Sequence, residues 1–450
     1  MNLGGMVKYF APLWLVVLCF GGCNRELNKP ASSVTATPEE VGMSSLKLSY
    51  IDSLVVQYRE EHKFPGGVFL VARRGQVVYY KSMGHRSLET DEPYRKDDIF
   101  RIASMTKVVT AVAIMQLYEK GKLGLDDPVA KYIPAFEEVG VMDRIHPEDS
   151  TYSTIPSNRK ITIRHLLTHT SGLAYAKPRY GDLFTIYSKL GFNSRIGLSH
   201  PSWSTAQIVD RIADLPLAFH PGEQYVYGYS IDVLGRVVEV VSGIDLDTYF
   251  RQNIFEPLGM EDTYFYLPKE KHGRLVPLYD YSEGKLIMYQ REEPISVGYP
   301  KFENAQAYMG GGGLSSTAHD YARFLQSLLN ASQGPGTYSP GQVLRGTPPL
   351  IGRKTWELMT SDQFEKLNAA GKGRDNRIGL SYALGFALTT RTGIEAKSPG
   401  TFEWGGTFST KFFVDPKEEL IFVGMSQATA MYHQEFYSKM TAIIYGSIED

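Results

Sequence analysis

The sequence predicts a mixed α/β fold: an antiparallel sheet built from the N- and C-terminal segments, flanked by helices, with a helical region inserted between them. Three stretches carry that expectation. "GGVFLVARRGQVVYYKS" (Gly66 to Ser82) alternates apolar residues on either side of Arg73-Arg74-Gly75 and predicts a β-hairpin. "TKFFVDPKEELIFVGMSQ" (Thr410 to Gln427) predicts two further strands joined by a turn at Asp415-Pro416. Between them, from about Gly121 to Leu217, the chain is helical and loop-rich, punctuated by Pro and Gly, with no convincing strand.

In chain order, the first element is a leader. "MNLGGMVKYFAPLWLVVLCFGGC" holds one lysine, an apolar run from Tyr9 to Phe20, then Gly21-Gly22-Cys23. The run is about a dozen residues, whereas a bilayer span needs about 20. It suits the apolar core of an export signal. Two small residues before a cysteine resemble the bacterial lipoprotein cleavage box, with Phe20 standing where that box usually has Leu. Cys23 is therefore expected to be lipidated, with ordinary secretion and an uncleaved anchor as the other options. The polar stretch Asn24 to Glu40 follows as a tether, and residues 41–450 form one domain with its helical insert at about 121–217. The expected setting is the bacterial cell envelope, periplasm or outer membrane, for a monomer that meets the membrane through its lipid anchor only.

Composition narrows the chemistry. Lys and Arg number 47 against 49 Asp and Glu, a net charge of −2, so the chain lacks the basic excess a nucleic-acid binder needs. Cys19 lies within the leader and nothing after Cys23 is a cysteine, which excludes disulfides, thiol catalysis and thiolate metal sites in the domain.

After the first hairpin comes "FRIASMTKVVTAVAIMQLY" (Phe100 to Tyr118), an apolar helix that opens on a serine and a lysine three residues apart. S-x-x-K alone is weak, and it occurs four times: Ser44/Lys47, Ser104/Lys107, Ser157/Lys160 and Ser282/Lys285. Ser157 and Ser282 sit in polar turn-like segments, and Lys47 falls among solvent-facing residues. Ser104, Lys107, Val108, Ala111 and Met115 share one helical face. That places Lys107 on an apolar stripe, where burial favours its neutral, proton-accepting form. A neutral amine one turn from a hydroxyl can take its proton, and the helix N-terminus favours the resulting anion. An N-capping serine beside a lysine that snorkels to solvent is the plainer reading of this motif taken alone.

Two more helices are legible downstream, "SIDVLGRVVEVVSG" with Ser230 as N-cap and Gly243 as its stop, and Ser316 to Asn330. A last helix, about His433 to Ile448, closes the chain. "HLLTH" has the spacing of a zinc pair in His165 and His169 but lacks the glutamate of H-E-x-x-H, and no third ligand is in sight. "GGGGL" (Gly310 to Leu314) is followed by no Gly-Lys-Ser/Thr, so it reads as a tight turn bringing backbone close to a pocket rather than a phosphate cradle. Ser171 and Ser230 each lack one glycine of G-x-S-x-G.

Six phrases in order, "IFRIASMTKVVTAVAIMQL", "ITIRHLLTHTSGL", "PGEQYVYGYSIDVLGRVVEVVSG", "IFEPLGMEDTYF", "GGGGLSSTAHDYARFL" and "WGGTFSTKFFVDP", spread over nearly the whole domain. Together they resemble the β-lactamase-like serine hydrolases, the group of class C β-lactamases, D-alanyl-D-alanine carboxypeptidases and family VIII carboxylesterases. The resemblance implies a β-lactamase/transpeptidase-like fold, Ser104 as the acylated serine, Lys107 as its base partner and Tyr227 as a sharer of the proton transfers. It sets Trp404-Gly405-Gly406 at the K-T-G element on the strand walling the site. It also gives the oxyanion hole to the backbone amides of Ser104 and Thr407. Tyr229 stands where the β-lactamases carry an asparagine for the acyl side-chain amide. Trp404 stands where they carry a lysine for the β-lactam carboxylate. Trp404, Gly405, Gly406 and Tyr229 are thus expected to line the substrate pocket.

Loss of those two polar handles points to the carboxylesterase branch. The expected activity is hydrolysis of short or medium acyl esters through an acyl-serine, with no metal or organic cofactor. No cationic motif suggests an anionic substrate. A cell-wall D-Ala-D-Ala-type peptidase or weak β-lactamase is the alternative, and a non-catalytic binding protein on the same scaffold the third reading.

Overall fold

The computed structural model describes residue 1 and residues 34–146, 151–192, 202–290, 296–334, 344–373, 379–393, 395–429 and 432–450. The leader after Met1, Cys23 and the first part of the tether lie outside the described residues. From Val34 onward the expected tether is part of the domain. The Thr35 amide donates to the Val77 carbonyl at 2.8 Å and its hydroxyl accepts from the Val77 amide at 2.8 Å, extending the sheet edge by one rung.

An eight-stranded antiparallel sheet forms the centre. Its strands are β1 (Gly66–Arg73), β2 (Gln76–Ser87), β3 (Glu92–Pro93), β4 (Leu380–Tyr382), β5 (Ala387–Thr389), β6 (Phe402–Gly406), β7 (Thr410–Asp415) and β8 (Leu420–Met425). The order across the sheet is β4-β5-β6-β7-β8-β1-β2-β3. The two terminal segments therefore meet at its middle, where Val68 to Arg73 pair with Met425 to Leu420. The expected first hairpin forms because Arg74 (φ 52°) and Gly75 (φ 72°) both take left-handed backbone, the signature of a turn whose twist matches its strands.

β1 is buried along its whole length because both faces of the sheet are covered. Val68, Leu70 and Ala72 face the larger core, and Phe69 and Val71 face the smaller one. The smaller core is closed by α1 (Tyr50–Glu60) and α5 (His433–Gly446), which contribute Ile51, Val55, Phe436 and Met440. The larger core holds α2 (Thr106–Glu119), α3 (Ser230–Ser242) and α4 (Ala318–Gln333). Among the described residues no helix is long and apolar enough to cross a membrane.

Three local expectations are corrected. The region 121–217 is not strand-free: Gly140–His146 and Thr151–Pro156 form an antiparallel hairpin, largely exposed and polar, so no apolar alternation marks it. α2 has no single apolar stripe, since every residue from Thr106 to Leu117 is buried. Ser230 does not cap α3; Tyr229 is the N-cap residue, and the Ser230 hydroxyl is hydrogen-bonded to that of Ser171 at 2.8 Å.

Candidate active site

Ser104 is the middle residue of a 3₁₀ turn, Ala103–Met105, that runs directly into α2. Ala103 has φ 45°, a left-handed conformation that a Cβ-bearing residue adopts only when its surroundings impose it. The surroundings are visible. Ile102 donates to the Leu314 carbonyl at 3.0 Å, and the Leu314 amide donates to Thr106 Oγ1 at 3.0 Å, fastening the turn to the glycine run at 310–313.

Lys107 has no solvent exposure. Its Nζ donates to Ser104 Oγ at 3.3 Å, to Tyr175 Oη at 3.2 Å and, over a shorter distance, to the Gly311 carbonyl. An ammonium uses all three donors here; a neutral amine would turn its lone pair to one of the two hydroxyls. The Gly311 amide in turn donates to Asp232 at 2.8 Å, and Tyr175 donates to the same carboxylate at 3.4 Å. A Cβ on Gly311 would collide with that carboxylate, so only glycine can present its amide to Asp232 and its carbonyl to Lys107. Burial pushes the Asp232 carboxyl above the usual carboxylate range, against the pull of the Lys107 charge.

Tyr227 lies two residues before the N-cap of α3 and donates to Ser104 Oγ at 2.7 Å. Its ring centroid is 4.8 Å from Lys107 Nζ, 5.4 Å from the Tyr175 ring and 5.8 Å from the Trp404 ring. Trp404 is 8% exposed and also meets Tyr382 at 5.5 Å. Ser104, Lys107, Tyr227 and Trp404 are therefore brought together. In the other three S-x-x-K pairs Lys160 and Lys285 are exposed and Lys47 is half-buried, and Ser44 is an N-cap that accepts from the Lys47 amide.

The remaining residues expected at the site fall elsewhere or at its margin. Tyr229 is 1% exposed and stacks edge-on against Tyr175 (4.8 Å) and Phe192 (5.8 Å), so it backs Tyr175 from the core instead of lining an open pocket. Gly405 is on the wrong face. Strand alternation turns Gly406 toward Ile102 and the Ser104 turn, while a Cβ on Gly405 would face His433 of α5. Thr407 is exposed in the turn leaving β6. His165 Nδ1 accepts from the Thr162 amide at 3.2 Å, whereas the His169 ring packs 4.8 Å from Tyr227 and 5.9 Å from Tyr225.

Two residues of this network had no role in the sequence reading. Asp232 carried a faint signal as a carboxylate among Ile231, Val233 and Leu234 on an apolar helix. Tyr175 carried none, because one tyrosine among 29 is not distinctive until its partners are known.

A family model described as Beta-lactamase matches residues 51–437. Esterase EstB of Burkholderia gladioli is 29% identical over 402 residues, spanning 86% of this chain and 91% of that protein. Lovastatin esterase of Penicillium rubens is 30% identical over 365 residues, spanning 79% and 86% respectively. Among solved structures, EstCE1, a hydrolase with promiscuous acyltransferase activity, has a TM-score of 0.72 at 24% identity, covering 89% of this chain and 99% of its own.

Proposed function

The chain belongs to the beta-lactamase family and is a serine hydrolase; from that premise we propose that it is a carboxylesterase working through an acyl-enzyme on Ser104. The observation that carries this reading is the Ser104 hydroxyl held at once by Tyr227 (2.7 Å) and by a wholly buried Lys107 (3.3 Å). Ser104 Oγ attacks the ester carbonyl while its proton passes to the Lys107–Tyr227 pair. The oxyanion is held by the Ser104 and Thr407 amides, a type of contact that contributes about 3–4 kcal/mol to a transition state. Tyr227 returns the proton to the departing alcohol. A water, deprotonated by the same pair, then releases the acid and restores Ser104. Esters are favoured over cell-wall amides because Trp404 presents an uncharged wall beside Tyr227, and because two relatives bear the name esterase.

The test is Ser104→Ala with p-nitrophenyl butyrate. A folded variant should lose at least about a thousandfold in kcat; one that keeps full activity would refute the assignment. The reading extends to location. Lipidation at Cys23 would hold the enzyme to the bacterial envelope, and cells fed labelled palmitate should label the wild-type protein but not Cys23→Ser.

A further inference from the structure

Asp232 lies in the first turn of α3 and is 4% exposed, so its carboxylate stands in the core and depends on the donors around it. Oδ1 accepts from the Gly311 amide at 2.8 Å, and Oδ2 accepts from the Tyr175 hydroxyl at 3.4 Å. The second contact is long, and charge does the orienting. The hydrogen of Tyr175 turns to the anion because its other neighbour, the Lys107 ammonium at 3.2 Å, offers only donors. Burial opposes the ionised carboxyl, while the Lys107 charge, the Gly311 amide and the Tyr175 hydroxyl favour it.

This arrangement decides which way Lys107 can act. In the state that attacks, Lys107 is a neutral amine with two N–H bonds and one lone pair for three neighbours. The Gly311 carbonyl carries no hydrogen, so it takes one N–H. Tyr175 has given its single hydrogen to Asp232, so it can only accept, and it takes the other. The lone pair is left for Ser104 Oγ, 3.3 Å away, whose hydrogen it removes. Without the carboxylate, the Tyr175 hydroxyl would offer its own hydrogen to the amine and hold the lone pair away from Ser104.

We propose that Asp232 is a positioning residue for the reaction at Ser104: by holding the hydrogen of Tyr175, it aims the lone pair of Lys107 at the nucleophile. This rests on the reading of Ser104 as the nucleophile and goes beyond it by assigning a residue that acts through Tyr175.

The test compares Asp232→Asn, Tyr175→Phe and the double variant with the wild type. In Asp232→Asn the amide oxygen can still accept from Gly311, and its NH2 then stands where Oδ2 was and donates to Tyr175. The Tyr175 hydrogen is thereby released toward Lys107. The readout is the rate at which a fluorophosphonate labels Ser104: Oγ bonds to phosphorus, fluoride leaves and the Ser104 proton passes to Lys107. Rates are expressed per site labelled at the end point, which removes any unfolded fraction.

Asp232→Asn should label about 100-fold more slowly or worse, the scale of a lost base. Tyr175→Phe alone should lose about tenfold or less, since it removes one hydrogen bond but not the aim of the lone pair. The double variant should label at least about tenfold faster than Asp232→Asn, because the competing hydroxyl is gone. A role confined to supporting the fold predicts the opposite sign, with the double variant slower than either single one. Labelling of Asp232→Asn at the wild-type rate, or a double variant no faster than Asp232→Asn, would overturn the proposal. Should Asp232→Asn fail to fold, Tyr175→Phe decides: a loss above about tenfold would overturn it. Hydrolysis of p-nitrophenyl butyrate by the same proteins separates the two readings. A wild type that is labelled but inert toward the ester, with the labelling rates in the expected order, would remove the carboxylesterase and leave the role of Asp232. Normal ester turnover with the double variant the slowest to label would do the reverse, and a wild type that neither labels nor turns over the ester would remove both.

Discussion

Tyr227 holds the hydroxyl of Ser104 at 2.7 Å across 123 residues of sequence. Neither residue is placed by its own helix alone. Ser104 is set by a strained turn at Ala103, and Tyr227 by a segment pinned on both sides, with Val226 donating to His169 and Tyr175 donating to Tyr227. The hydroxyl pair is thus where two separately anchored pieces of chain meet.

Replacing Tyr227 with Phe keeps the ring against Trp404 and Lys107 and removes only the hydroxyl. Steady-state kinetics with p-nitrophenyl butyrate should show kcat lower by about 100- to 1,000-fold, the usual scale for a lost proton-transfer group, with KM little changed.

A side chain at Gly406 has nowhere to go, because a Cβ there would collide with the Ile102 carbonyl and Thr410 Oγ1. Gly406→Ala should push β6 away from the Ser104 turn, costing about 1–3 kcal/mol of stability and at least about tenfold in kcat. Gly405→Ala, directed to the opposite face, should be the milder change in both thermal melting and activity.

His433, at the first turn of α5, is held down to about 4 from its ordinary 6.5, chiefly by burial and further by the Lys411 charge. A base depressed in the folded state contributes its stability above pH 6.5 and loses it as the pH falls toward 4. His433→Gln should therefore gain on the wild type as the medium is acidified: the difference in Tm, variant minus wild type, should be larger at pH 4.5 than at pH 7.5. The opposite trend of Asp98 and Asp320, both raised to about 6 mainly by burial, is common to the two proteins and cancels in that difference.

What could be read from the sequence was what is written locally. The two hairpins at the chain ends show period-two alternation broken by turn residues, and α3 shows its glycine stop, so each lies where expected. The hairpin at 140–156 was illegible because most of its side chains meet water and leave no apolar period. At the site, Ser104 and Lys107 were visible as a motif in context, but the depth at which Lys107 sits was not, since α2 is enclosed on every side by residues far away in sequence. The misplacement of Gly405 had a legible cause. Trp404 and Gly406 are two apart on a strand, and the residue between them must face away.

The pairing of Val68 with Met425 has a consequence for how the chain must be born. During synthesis the N-terminal hairpin emerges early, yet the edge of β1 that β8 will cover stays bare until residue 425 has been made. For that whole interval a run of apolar backbone, a ready template for wrong partners, has nothing correct to bind. Closing so long a loop is a late and slow event. Ser104 and Lys107 are synthesised more than three hundred residues before β8, the strand that joins the two halves of the sheet.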